Sequence, residues 1–275
     1  MEQENSAADL DRRFSGLARL YGAAGAKKIR AAHVVVVGLG GVGSWAAEAL
    51  ARSGVARLSL IDLDHVAESN INRQIHALDT TLGQAKVQAM RERIAHINPS
   101  CEVQCVEEFV DADNWPGIAG LELDARESVS IIDACDQVKA KTAMAAWVLE
   151  HSAGHKNPEN LNFISVGAAG GKRHAHKVEI DDLSLATHDP LLAQLRYRLR
   201  KEQGAARQGK LGIHCVFSRE SVTQPGVVAE EGSTTEANGI KSDASLNCHG
   251  YGSVVTVTST FGICAAGWVL FKIAG

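Results

Sequence analysis

Residues 33–74 read HVVVVGLGGVGSWAAEALARSGVARLSLIDLDHVAESNINRQ. Four valines, Val34 to Val37, run into a glycine turn, Gly38-Leu39-Gly40-Gly41-Val42-Gly43, as a buried parallel strand entering a tight turn would. Ser44 to Ser53 has helical character and Gly54 stops it; Val55 to Ile61 then forms an alternating strand that ends in Asp62 and Asp64. This order predicts a nucleotide-binding βαβ unit. Glycines let the backbone approach a phosphate, the helix start offers free N–H groups, and a carboxylate at the next strand tip reaches ribose hydroxyls. The glycine pattern alone does not choose among NAD, flavin and ATP. The residues beyond the acidic tip do, because Ser69-Asn70-Ile71-Asn72-Arg73-Gln74 brings a cation and amides there, and Lys86 follows in a helical stretch. A triphosphate under attack needs cations on the reacting phosphorus and the leaving pyrophosphate, and a nicotinamide does not. ATP is the expected ligand, with a nicotinamide oxidoreductase as the rival class.

The rest of the chain continues in strand and helix steps. Leu82 to Ile97 is predicted helical, ended by Asn98-Pro99. Strands are predicted over Glu102 to Val110, Val129 to Ile132, Asn162 to Val166, Ala175 to Ile180 and Ile213 to Phe217, and a helix over Lys139 to His151. The fourth strand delivers Asp133 and Asp136 at its tip, with Asp136 the better metal candidate and Asp133 structural. The result is an α/β fold with a mostly parallel sheet and its ligand at the carboxyl ends of the strands. No repeat or linker divides the chain, so 1–275 reads as one unit. A helical segment (1–30) is followed by a nucleotide-binding core (31–190) and a substrate region with a C-terminal helix (191–275).

Composition agrees with a globular enzyme: 45% hydrophobic and 22% charged residues exclude wholesale disorder. The net charge of −4 argues against a generally basic nucleic-acid coat. Two local clusters run the other way, Lys172-Arg173-His174-Ala175-His176-Lys177 and the stretch Gln194 to Lys201 (QLRYRLRK) with Arg207, Lys210 and Arg219 beyond it. A solvated helix face explains one such run; two in an acidic protein point to a phosphate-rich partner. In the second, Arg196 and Arg200 share a face while Leu195 and Leu199 pack. The six cysteines show no Cys-x-x-Cys pair and Met1 to Asp11 lacks signal-peptide character, which predicts reduced thiols in the cytoplasm. Tetrahedral zinc lacks its ligand pattern. Cys135 and Cys264 are expected in the core and Cys215 within a strand.

Gly38-x-Gly40-Gly41-x-Gly43, Asp62-x-Asp64, Asn72-Arg73-Gln74, Lys86 and Asp133-Ala134-Cys135-Asp136 resemble the ubiquitin-activating, ThiF-like adenylating superfamily. Within it, Arg13 to Gly22, Asn72 to Leu78, Lys210 to Ser218 and Ser259 to Gly262 are similar to the tRNA threonylcarbamoyladenosine dehydratases. The similarity runs from about Arg13 to the C-terminal helix. It implies a Rossmann-like sheet flanked by helices, a C-terminal antiparallel elaboration and a crossover loop. It also implies ATP and Mg2+ as cofactors. Gly38, Gly40, Gly41 and Gly43 would cradle the nucleotide, with Asp62 on the ribose and Asp64 beside it. Asn70, Asn72, Arg73, Gln74 and Lys86 would surround the phosphates, and Asp136 would hold the metal. The implied catalytic set is Arg73, Lys86, Asp136 and Cys248. The implied reaction is dehydration of threonylcarbamoyladenosine beside the tRNA anticodon, through an acyl-adenylate. The implied partners are tRNA, a second copy of the chain, and a cysteine desulfurase or sulfur acceptor. An N-terminal arginine, Arg13 or Arg19, would reach the partner's ATP.

Three readings stay open. Cys248, polar-flanked after the loop Pro225 to Leu246, is either a thioester-forming nucleophile or a small residue with no chemistry. Ser253 to Gly275 has no charge before Lys272 and reads as a buried helix, with Gly262 and Gly267 allowing close packing; a membrane anchor is the minor alternative. Adenylation of a ubiquitin-like sulfur carrier competes with the dehydratase reading, and non-enzymatic tRNA binding is the third option.

Overall fold

The computed structural model describes residues 8–121, 128–154, 161–223 and 251–275. The first helix, α1 (Leu10–Ile29), is broken at Gly22, whose φ of 73° takes the chain out of helical geometry. Then come β1 (His33–Val37), α2 (Gly43–Arg52), β2 (Arg57–Ile61), α3 (Lys86–Ile97), β3 (Glu102–Val106), β4 (Val129–Asp133) and α4 (Val138–Gly154). The chain continues through β5 (Leu161–Val166), β6 (Val178–Asp182), α5 (Pro190–Glu202), β7 (His214–Ser218) and α6 (Val255–Ala274). The strands form one sheet in the order β3-β2-β1-β4-β5-β7-β6, parallel except for β6 against β7.

Both faces of the sheet are covered, which explains the unbroken valine run. Val34 and Val36 pack under α1, α2, α3 and α6, whereas Val35 and Val37 face α4 and α5. Successive strands move outward from β1 in one direction and then restart at β4 on its other side. The crevice between the carboxyl ends of β1 and β4, where Val37 lies beside Asp133, is therefore the switch point at which such sheets bind ligands.

Several boundaries differ from the sequence expectation. α3 begins at Lys86, not Leu82, because Asp79–Thr81 forms a 3-10 turn. Gly83 then sits at φ 81°, and the Thr81 hydroxyl holds the Leu78 N–H at 2.9 Å. β3 stops at Val106, and residues up to Val110 leave the sheet to wall a cleft. Residues 175–177 form a 3-10 turn, so β6 starts at Val178. α6 is a core helix. Val257, Phe261, Ala265 and Val269 are buried on it, and a Cβ at Gly262 would strike the Val42 carbonyl of α2. Gly267 packs against nothing, contrary to expectation.

Candidate nucleotide site

A cleft of about 460 Å³ opens at the switch point. A larger one, about 700 Å³, lies on the outer seam of α1 and α3, remote from the glycine turn and the strand-tip acids. The smaller cleft collects the chemistry. Its floor is Gly38, Gly40, Gly41 and Val42. Gly38 has φ 86°, and a Cβ there would lie 2.8 Å from the Cys135 nitrogen, so the turn presses against the tip of β4. A Cβ on Gly43 would land on the Gly38 carbonyl oxygen, so this glycine closes the turn and does not line the cleft. Space is open above Gly40, and the Arg73 stem passes over Gly41.

Asp62 stands at the tip of β2, nearly buried. One oxygen accepts the Leu39 N–H at 2.6 Å and the other the Asp64 N–H at 2.9 Å. Burial raises its pKa, with Lys86 opposing. The Lys86 ammonium sits 2.7 Å from Asp64 and 3.8 Å from Asp62, and only 6% of the residue is exposed. It is thus a desolvated cation held by two acids, not a solvated helix charge. Arg73 donates to the Ser69 carbonyl at 2.6 Å and to the Asn72 side chain at 3.0 Å, and Trp45 clamps its backbone carbonyl at 2.9 Å. Asn70 and Gln74 also line the cleft, both buried, and the Gln74 side-chain oxygen has no partner. Asn72 does not line it. Its amide turns to the Ser253 carbonyl at 3.3 Å and ties this loop to the approach of α6.

Asp133 and Asp136 differ in burial. Asp133 is fully buried, 3.0 Å from the equally buried Lys141, and accepts the Ser165 hydroxyl at 2.7 Å. Lys141 also donates to the Val166 carbonyl at 2.7 Å, so one ammonium ties the tips of β4 and β5 to α4. Asp136 is exposed in the cleft. Cys135 is partly buried, packs against the core and also lines the cleft. Its thiol donates to Asp133 at 3.1 Å, and burial together with that carboxylate holds its pKa well above 9.0. Cys215 is buried as expected and Cys264 is half-buried. Cys248 and the loop 225–246 lie outside the described residues.

Sequence reasoning missed Lys141, Phe109 and Thr258. Lys141 resembles any helix lysine until its burial is known, and Thr258 reaches the cleft from a helix far along the chain. Both basic clusters also need correction. The Lys172 ammonium is buried against the carbonyls of His188 (2.8 Å), Ser218 (3.3 Å) and Glu220. Arg196 is fixed to the Leu183 and Ala186 carbonyls at 2.9 and 2.8 Å. Leu195 and Leu199 do pack.

His76, just past the Arg73 loop, is buried, and neither ring nitrogen has a hydrogen-bond partner. Burial, with repulsion from Lys86 and Arg93, lowers its pKa from 6.5 to about 4. The unfolded chain therefore takes up this proton first as pH falls. The His76 contribution to stability is complete above 6.5 and is lost between 6.5 and about 4. That amounts to about 3 kcal/mol. Thermal unfolding across this window should show a pH-dependent loss that His76→Gln reduces; an unchanged dependence in the variant would remove His76 as its source.

The ThiF family model matches residues 12–270. The tRNA threonylcarbamoyladenosine dehydratase of Escherichia coli strain K12 is 40% identical over 266 residues, which cover 94% of this chain and 92% of that protein. The crystal structure of the Escherichia coli enzyme in complex with ATP superposes with a TM-score of 0.80 at 38% identity, covering 97% of this chain and 96% of that one. Its complex with AMP gives a TM-score of 0.79 with the same coverage.

Proposed function

Because the chain belongs to the ThiF family, we propose that it uses ATP to activate the carboxylate of threonylcarbamoyladenosine in tRNA and closes the side chain into a ring with net loss of one water. The observation that carries this reading is the convergence of Gly38, Gly40, Gly41, Asp62, Arg73, Lys86 and Asp136 on one cleft. Its likeness over almost the whole chain to a dehydratase with ATP- and AMP-bound structures supplies the substrate class. Adenylation leaves AMP on the substrate, so a site that serves both nucleotides suits the chemistry.

In this account the glycine turn lies along the phosphates, and the remaining lone pairs of Asp62 accept the ribose hydroxyls. Leu63, Phe109 and Val110 supply an apolar wall for the base. Arg73 and Lys86 neutralise charge as the substrate carboxylate attacks the α-phosphate and pyrophosphate leaves. The side chain's own nitrogen then attacks the acyl carbon, loses its proton, and AMP departs. A Mg2+ ion suits the exposed Asp136, since it takes one or two carboxylates and completes its shell with phosphate and water oxygens. It would screen the triphosphate. A tRNA substrate fits a cytoplasmic location, and cyclisation of an activated carboxylate requires no thiol from Cys248.

We also propose a homodimer in which an N-terminal arginine approaches the partner's nucleotide. Arg13 donates to the Ile97 carbonyl of its own chain at 2.8 Å, which favours Arg19, exposed on α1, for that role. Mass in solution at micromolar concentration should be that of a dimer; a clean monomer removes the trans arginine. The reading itself is tested by ATP–pyrophosphate exchange, which tRNA bearing threonylcarbamoyladenosine should stimulate. Exchange that responds only to the C-terminus of a small sulfur-carrier protein would transfer the assignment to that substrate.

A further inference from the structure

Arg219, which follows β7, lies at the carboxyl edge and is paired with Glu179 at 2.8 Å; apart from it, the two basic clusters fall at opposite ends of the sheet, and only the first adjoins the cleft. β5 ends at Val166, and the next residues, Gly167 to Ala169, line the cleft. Within a few residues the same loop exposes Arg173, His174, His176 and Lys177, still on the carboxyl edge, because β6 then starts at Val178 beside Ser218, the last residue of β7. The remainder of the second cluster lies at the far end. α5 starts at the cleft edge, where its cap Asp189 also accepts the Ala168 N–H at 2.9 Å. It runs 13 residues away from there, about 20 Å at the rise of an α-helix. Lys201, Arg207 and Lys210 therefore lie by the amino end of β7.

The cleft-edge loop is built to hold its shape. Lys172 is buried under it, bonded to three carbonyls. The Glu220 carboxylate accepts the N–H groups of Arg173 and His174, both at 3.0 Å. A buried ammonium and a partly exposed carboxylate thus fix the backbone and leave the next four cationic or titratable side chains on the surface. The His174 and His176 rings lie 5.6 Å apart, and such rings give an unstacked base a face to stack on.

We propose that Arg173, His174, His176 and Lys177 grip the RNA strand flanking the reacting nucleotide, and that the basic tail of α5 takes no part in holding it. This rests on the dehydratase reading, which requires one nucleotide of a single-stranded loop to enter the cleft; the phosphates on either side of it must then lie at the cleft edge. The comparison is between the triple variant Arg173→Ala/His176→Ala/Lys177→Ala and the triple variant Lys201→Ala/Arg207→Ala/Lys210→Ala. Binding of tRNA bearing threonylcarbamoyladenosine is measured across a salt series, and ATP binding is measured alongside. The loop variant should bind the tRNA about tenfold or more weakly, with a salt slope smaller by about 2, and bind ATP as the unaltered protein does. The α5 variant should match the unaltered protein in all three. A loss carried by the α5 variant, or an unchanged affinity and slope in the loop variant, overturns the assignment while leaving the dehydratase reading standing. An unaltered protein that neither binds nor converts this tRNA overturns both.

Discussion

Replacing Lys86 or Asp136 with alanine is expected to abolish ATP–pyrophosphate exchange while the protein stays folded. Lys86 places a nearly buried ammonium between Asp62 and Asp64, so its charge acts in a site where water screens it poorly. Loss of one such preorganised group costs about 10²–10³-fold in rate, and the loss of Asp136 takes with it the carboxylate proposed for Mg2+. The two variants should differ in stability. Asp136 is exposed and its removal should leave thermal unfolding nearly unchanged, whereas Lys86→Ala leaves Asp62 and Asp64 facing one another without their cation. Exchange equal to that of the unaltered protein in both variants would remove these residues from the mechanism.

The second large effect concerns stability. Lys141→Met should destabilise the fold by about 3–5 kcal/mol, because it strands the buried Asp133 carboxylate. Burial disfavours the Lys141 charge, but Asp133 at 3.0 Å more than compensates and holds the lysine pKa above 10.5. For a group raised in the fold, the contribution is complete below 10.5 and lost only as pH rises through the folded value, so neutral pH sees all of it. The double variant Asp133→Asn/Lys141→Met removes both charges and should recover part of the loss. If Lys141→Met unfolds at the same denaturant midpoint as the unaltered protein, the pair does not hold the strand tips together.

The glycine turn and the acidic strand tip were legible in the sequence because their spacing is local. One strand, one turn and one helix fix where Gly38, Gly41 and Asp62 stand. The valine run was legible for the same reason, since a strand covered on both faces needs no polar alternation. What escaped was set by tertiary burial. Lys141, Lys172 and Arg196 carry the same letters as solvated cations, yet the first two are buried and the third is bonded to backbone carbonyls. Composition had placed Lys172 and Arg196 in nucleic-acid patches, and only their partners show otherwise. Cys135 was read as core from its apolar neighbours and does pack there, but its place at the tip of β4 also puts it on the cleft wall. Asn72 shares a motif with Arg73 but reaches the backbone at Ser253.

The central claim is a change in one nucleoside, and its most direct measurement weighs that nucleoside. Purified protein, ATP, magnesium and tRNA bearing threonylcarbamoyladenosine are incubated, the tRNA is digested, and the modified adenosine is analysed by mass spectrometry, with Cys248→Ala run in parallel. The account predicts loss of one water from that nucleoside, dependent on ATP, and the same product from the Cys248→Ala variant. An unchanged nucleoside mass, with a small carrier protein adenylated at its C-terminus in a matched reaction, would contradict it.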